Sequence, residues 1–174
     1  SGGYLLANTY HSRYGLPVTT LRPFQVYGPA ESPNRLVPAT ISRSLESAEI
    51  KLSGGEQTRD FVYVEDVADA ILAACLSSVA VGRTFNVCSG EEISIKEAVS
   101  TIIELCGGGA TPMFGALPYR DTEIWALSGN PSQAKEALGW NASTGLTDGL
   151  IKTIEWHREA AQTRPTVIPN LAAN

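Results

Sequence analysis

A β-branched run, Val18-Thr19-Thr20-Leu21, stands between a helical stretch closed by Gly15 and a segment punctuated by prolines at 23, 29 and 33. That order constrains the fold more than any other feature. Leu6, Ala7, Tyr10 and Tyr14 recur at three- and four-residue spacing, so the spacing predicts a helix over Tyr4–Tyr14. The run after Pro17 has the length and composition of a strand buried in a sheet covered on both faces. Helix, short loop and buried strand make the second half of a βαβ unit, and the strand that should precede the helix is missing from this sequence. The proline-rich stretch Pro23–Asn34 reads as a loop beyond the strand's carboxyl end, where ligands of open α/β sheets sit.

The remaining pattern continues the α/β alternation. A helix is expected over Leu36–Ala48, with Val37, Ile41, Leu45 and Ala48 in phase, then strands at Ile50–Leu52 and Arg59–Val64 around a Ser53–Glu56 turn. Asp66 reads as the cap of a helix carrying Val67, Ala70, Ile71, Ala74 and Cys75. After a strand at Thr84–Val87, Ser94 and Glu97 form a capping box ahead of Ile95, Ala98, Val99, Ile102, Ile103 and Cys106, and Gly107-Gly108-Gly109 ends that helix. A strand at Ile124–Leu127 and a short helix from Asn130-Pro131 to Gly139 follow. Thr147 is expected to cap a last helix through Leu150, Ile151 and Ile154, with Leu146 stapled onto Ile151, and the tail from Thr163 reads as loose.

Composition bounds the function classes. The 174 residues suit one ordinary domain, and 43% hydrophobic with 18% charged residues describes a globular chain. No apolar run reaches the length of a membrane span. A net charge of -5 argues against a nucleic-acid partner, although a few arginines could still hold one small anion. Cys75, Cys88 and Cys106 lack paired spacing and sit in apolar runs, which predicts buried free thiols. With no secretory signal in the first residues, this points to the cytoplasm.

Read by residue type alone, the chain carries no strong catalytic motif, and its two histidines, His11 and His157, fall on helices as surface residues. Arg22, Arg59 and Arg120 each stand beside a loop, and an arginine fork suits a phosphate. The alternative is that Arg22 and Arg59 pair with Asp60 or Asp66 to tie the fold together; residue pattern leaves the two open. Gly54-Gly55 is most simply a turn. Gln25 and Asn86 serve equally well as turn formers, and Tyr27 as a residue packed under its loop.

Taken together and in order, "LPVTTLRPFQVYGP", "RLVP", "GGEQTRDFVYVEDVADAI", "FNVCSGEEISIKE", "YRDTEIW" and "LGW" resemble the carboxyl-terminal half of the NAD-dependent nucleotide-sugar epimerases and dehydratases, the extended short-chain dehydrogenase/reductase family. The resemblance implies a remnant of a Rossmann-type parallel sheet over residues 1–30 and a small α/β domain for a nucleoside-diphosphate sugar over 31–162. It also implies transient oxidation of the sugar by NAD. The family's GxxGxxG fingerprint and YxxxK pair are not in the sequence, and the resemblance places the lysine of that pair directly ahead of Ser1. The chain is therefore expected to be a substrate-binding half that is inactive alone.

By the same resemblance Gln25, in place of the usual asparagine, meets the sugar nucleotide near the nicotinamide, and Val26 and Tyr27 line the cofactor side. Leu36, Val37 and Pro38, with Ile50 and Leu52, flank the base. Arg59 grips the diphosphate with Asn86 beside it, and Arg120 and Glu123 reach phosphate and ribose, with Asp121-Thr122 replacing the usual Pro-Gly. Asp60 and Asp66 look structural. The alternative is a non-catalytic module that binds sugar nucleotides or a protein. Either way, an orphaned sheet edge and the Tyr4–Tyr14 helix imply a homodimer or higher oligomer.

Overall fold

The computed structural model describes residues 2–163. Their order is α1 (Gly2–Tyr14), β1 (Thr20–Pro23), β2 (Gln25–Tyr27), α2 (Leu36–Leu45), β3 (Glu49–Lys51), β4 (Thr58–Arg59), β5 (Phe61–Tyr63) and α3 (Val64–Leu76). Then come β6 (Thr84–Val87), β7 (Ile93–Ser94), α4 (Ile95–Cys106), β8 (Thr111–Met113), β9 (Ala126–Leu127), α5 (Ser132–Leu138) and α6 (Leu146–Thr163). The expected α/β class is found, built from parallel pairs. β1 lies beside β6 with Leu21 opposite Phe85 and Arg22 opposite Asn86, while β2 lies beside β5 and β3 beside β8. β4 is central in a small sheet, antiparallel to β7 and parallel to β9.

The helix with the fullest sequence signal forms as read. Ser94 Oγ accepts from the Glu97 backbone N–H at 3.0 Å, and Gly107 takes the left-handed conformation that ends α4. Ile95, Ala98, Val99, Ile102 and Ile103 are buried. They join Val37 and Ile41 of α2, Leu150 and Ile154 of α6, and Tyr27, Phe61 and Tyr63 of the β2–β5 pair in the larger core. Ser94→Ala leaves one helix-terminal N–H unmet and is expected to cost about 1 kcal/mol, read as a lower urea midpoint at unchanged slope. A second core joins Phe85 and Val87 of β6 to Ala70 of α3, Ala134 of α5 and Trp140.

Several expectations are corrected. The first strand begins at Thr20 rather than Val18 and is only half covered, since Arg22 and Pro23 are exposed. Among the described residues it pairs with β6 alone. α1 forms and stops at Gly15, yet it buries none of its residues, with Leu5, Leu6, Tyr10 and Tyr14 45–67% exposed. The stretch Pro23–Asn34 is not all loop: pairing with Phe61–Tyr63 draws Gln25–Tyr27 into β2.

α2 ends at Leu45, three residues early, and Ser47 beyond it has a positive φ of 52°. The expected strand Arg59–Val64 is divided at Asp60, and Val64 already opens α3, so Asp66 lies inside the helix and not at its cap. Leu146 and Thr147 likewise fall within the first turn of α6. Leu146 packs on the larger core while Ile151 is 39% exposed, so the cap and staple do not form. All three cysteines are free, but only Cys88 is buried; Cys106 is partly covered and Cys75 exposed. Beyond Thr163, the last residue of α6, the tail lies outside the described residues.

Candidate functional site

Two buried carboxylates assemble the loops from which a site is made. Asp60 is fully buried between β4 and β5. Its Oδ1 accepts from the Ser89 N–H at 2.7 Å and Ser89 Oγ at 2.8 Å, and its Oδ2 from the Gly90 N–H at 2.9 Å and the Gly129 N–H at 3.3 Å. Its carbonyl receives the Gln25 N–H at 2.9 Å, and its own N–H donates to Leu127 O at 3.0 Å. The segments after β1, β6 and β9 thus meet at one residue. Asp66 does similar work for another loop, accepting from Ser143 Oγ at 2.8 Å and the Thr144 N–H at 3.0 Å, while Trp140 Nε1 donates to its carbonyl at 2.8 Å.

Among the described residues, neither aspartate is therefore the partner of an arginine. Arg22 lies over the Tyr4 ring, 5.0 Å from its centroid. Arg59 turns the other way: Nη1 donates to Thr58 O and Ile124 O, both at 2.7 Å, and Nη2 to Glu123 Oε1 at 2.9 Å. The paired side chains are only 16% and 14% exposed. Two carbonyls fix the plane of the guanidinium, and one carboxylate neutralises it.

The surroundings of that pair are acidic and aromatic. Glu92 accepts from Thr58 Oγ1 at 3.3 Å and from Ser128 Oγ at 2.5 Å. The Tyr119 hydroxyl donates to the Glu56 carboxylate, which holds the Glu56 carboxyl below and the Tyr119 phenol above its ordinary value. The Tyr119 ring packs on Trp125 with centroids 4.7 Å apart. Arg120 is exposed and joins this corner through its carbonyl, which receives the Glu123 N–H at 3.0 Å.

The structure brings Arg59, Arg120 and Glu123 together and separates the rest. Asn86 faces a different cavity of about 370 Å³, lined by Tyr4, Arg22, Thr84, Asn130 and Gln133. Gln25, partly buried in β2, lies opposite Phe61. Val37, Pro38 and Ile50 are buried, and Leu36 and Leu52 pack against the same core, so these five positions chiefly build the interior. Tyr27 is 1% exposed, and its hydroxyl donates to Leu146 O at 3.2 Å. Burial pushes that phenol far above its ordinary value. Val26 packs against the second core. Alternation along β2 turns Tyr27 toward the larger core and Val26 toward the second.

Sequence reading missed Glu92 and the Tyr4–Arg22 contact. Glu92 lies in the quoted "SGEEIS" run, but the strand pairing that sets Thr58 opposite Ser94 has no local signature. Among the described residues no group of three His, Cys, Asp or Glu is placed to hold a metal ion, and no helix is long and apolar enough to cross a membrane.

The model of the NAD dependent epimerase/dehydratase family matches residues 3–88. Over those residues the chain resembles that family's epimerase domain. Similarity continues past the matched part. A UDP-glucuronate 4-epimerase of Thermodesulfobacterium geofontis is 32% identical over 160 residues, 91% of this chain and 48% of that protein. The crystal structure of a UDP-glucose 4-epimerase from Thermotoga maritima with UDP-glucose superposes with a TM-score of 0.84 at 31% identity, covering 91% of this chain and 51% of that one. That of a UDP-glucuronic acid 4-epimerase from Bacillus cereus with UDP-glucuronic acid and NAD gives 0.83 at 29%, covering 91% and 50%. The chain spans about half the length of the curated relatives it matches. Its fold is that of Rossmann-type epimerases. Arg59, Asp60 and Asn86 lie inside the matched residues, whereas Glu92, Arg120 and Glu123 lie beyond them.

Proposed function

We propose that this chain is the nucleotide-sugar-binding half of an NAD-dependent epimerase or dehydratase, with Arg59 as the cation that takes the diphosphate. The observation that carries this reading is the setting of Arg59: a guanidinium largely withdrawn from water and oriented by two backbone carbonyls, in a chain similar to enzymes solved with UDP-sugars. Such a preset fork meets a phosphate bidentately with little further ordering. Arg120 adds a second, exposed positive charge, Glu123 accepts from ribose hydroxyls, and Gln25 offers its amide to the sugar. NAD, in a complete enzyme, supplies the hydride acceptor. The residues described here bind and orient, and no YxxxK pair accompanies them in the sequence, so no oxidoreductase turnover is expected of the chain alone.

Isothermal titration with UDP-glucose, UDP-glucuronate and dTDP-glucose tests the reading. One nucleotide is expected to bind, and Arg59→Gln to weaken it tenfold or more, the loss that follows removal of a charge-assisted hydrogen bond. A folded chain that binds none of the three overturns it.

A second observation favours association. Leu5, Leu6 and Tyr14 of α1 and Leu72 and Leu76 of α3 are 59–87% exposed, and the β1 edge is unpaired among the described residues. Apolar surface of this extent is ordinarily covered. The reading assigns it to the other half of a complete enzyme or, in the isolated chain, to a second copy. A dimer is expected by sedimentation, and a monomer at micromolar concentration counts against it. The same reading places the protein in the cytoplasm, where three free thiols stay reduced.

A further inference from the structure

We infer that Glu123 is a built-in competitor for the diphosphate: its carboxylate occupies the edge of Arg59 that a phosphate oxygen takes, and it thereby makes the site select against small phosphates. This deepens the role given to Arg59 above and rests on it. The contacts of Arg59 are of two kinds. Thr58 O and Ile124 O are neutral and belong to the backbone of β4 and of the segment entering β9, so they stay when a ligand arrives. Glu123 is an anion on a flexible side chain, carried by the turn that the Glu123 N–H closes onto Arg120 O. Carboxylate and phosphate use the same geometry on a guanidinium, so one can replace the other.

Two further carboxylates of this corner are engaged elsewhere, Glu92 by Thr58 and Ser128 and Glu56 by Tyr119. The Arg59–Glu123 pair is mostly out of water, so its exchange is screened less than that of a surface pair and has a measurable cost. A ligand that brings hydroxyl donors compensates the displaced carboxylate. Bare pyrophosphate has none and meets an uncompensated negative charge beside it.

The test is calorimetric titration of the 174-residue chain with UDP and with inorganic pyrophosphate at fixed ionic strength, in the wild type and in Glu123→Gln, Glu123→Asp and Arg59→Gln. Glu123→Gln is expected to tighten pyrophosphate about tenfold and UDP less, so the preference for UDP shrinks. Glu123→Asp, which keeps the charge and shortens its reach, shifts pyrophosphate in the same direction by a smaller factor and serves if the glutamine variant misfolds. Unchanged or weaker pyrophosphate binding in both Glu123 variants, with UDP still lost in Arg59→Gln, overturns the competitor and leaves the role of Arg59 intact. UDP binding that is undiminished in Arg59→Gln, or absent from the folded wild type, overturns that role and the competitor with it.

Discussion

Asp60→Ala is expected to lower the free energy of unfolding by about 4 kcal/mol, because it takes a fully buried acceptor from four partly buried donors, and a donor left unmet costs roughly 1–3 kcal/mol. Three of those donors are backbone N–H groups, of Ser89, Gly90 and Gly129, and the fourth is the Ser89 hydroxyl. No rotation of a neighbouring side chain replaces a carboxylate that serves two segments at once. Asp60→Asn separates shape from charge: the amide can accept at one end only, and its NH₂ then confronts N–H donors at the other. A cost between that of alanine and the wild type is expected, measured as a urea midpoint. An asparagine variant as stable as the wild type would show that the carboxylate is not what gathers these loops.

The second large effect is expected at Gly149, in the second turn of α6. In a solvent-exposed helix, Gly→Ala stabilises by roughly 1 kcal/mol. Here a β-carbon would fall on the Tyr27 hydroxyl, 2.8 Å from its ring Cζ and 3.0 Å from Tyr63 Cδ2. Tyr27 has no room to yield: it meets Phe61 and Tyr63 edge-on at centroid distances of 6.0 and 5.6 Å, and its hydroxyl is tied to the start of α6. Gly149→Ala is therefore expected to destabilise by about 2–3 kcal/mol, the range of an overpacked core. Tyr27→Phe removes the atom that is struck first, so the alanine should cost less in that background. Additive effects of the two changes in thermal unfolding would rule out this contact as the cause.

What could be read from the sequence follows the range of the interactions concerned. The span of α4 was legible to its ends because its cap, apolar stripe and terminating glycine all act within one or two turns. β2 was not, since three residues inside a proline-rich segment become a strand only through pairing with Phe61–Tyr63. Asp66 followed a rule of local capping that tertiary structure overrode: its carboxylate serves Ser143 and Thr144, far along the chain. The helix α1 was legible from its spacing, but nothing in that spacing says what covers it. For the site, the arginine was legible and its partner was not. Asp60 and Asp66 looked equally available to Arg59, and Glu123 takes that place because β4 and β9 run side by side.

The parallel pairs also govern how the chain reaches this fold. Thr20 must find Thr84, and Glu49 must find Thr111, before either ladder returns any free energy. Helices such as α4 can fluctuate into place early, but the strands wait on a search across long intervening stretches, and closing such loops is paid in entropy before contacts form. During that wait the short strands and the apolar side of α1 face solvent together. Refolding from denaturant is expected to be slow for a chain of this size and to lose yield as protein concentration rises, with recovery improving on dilution.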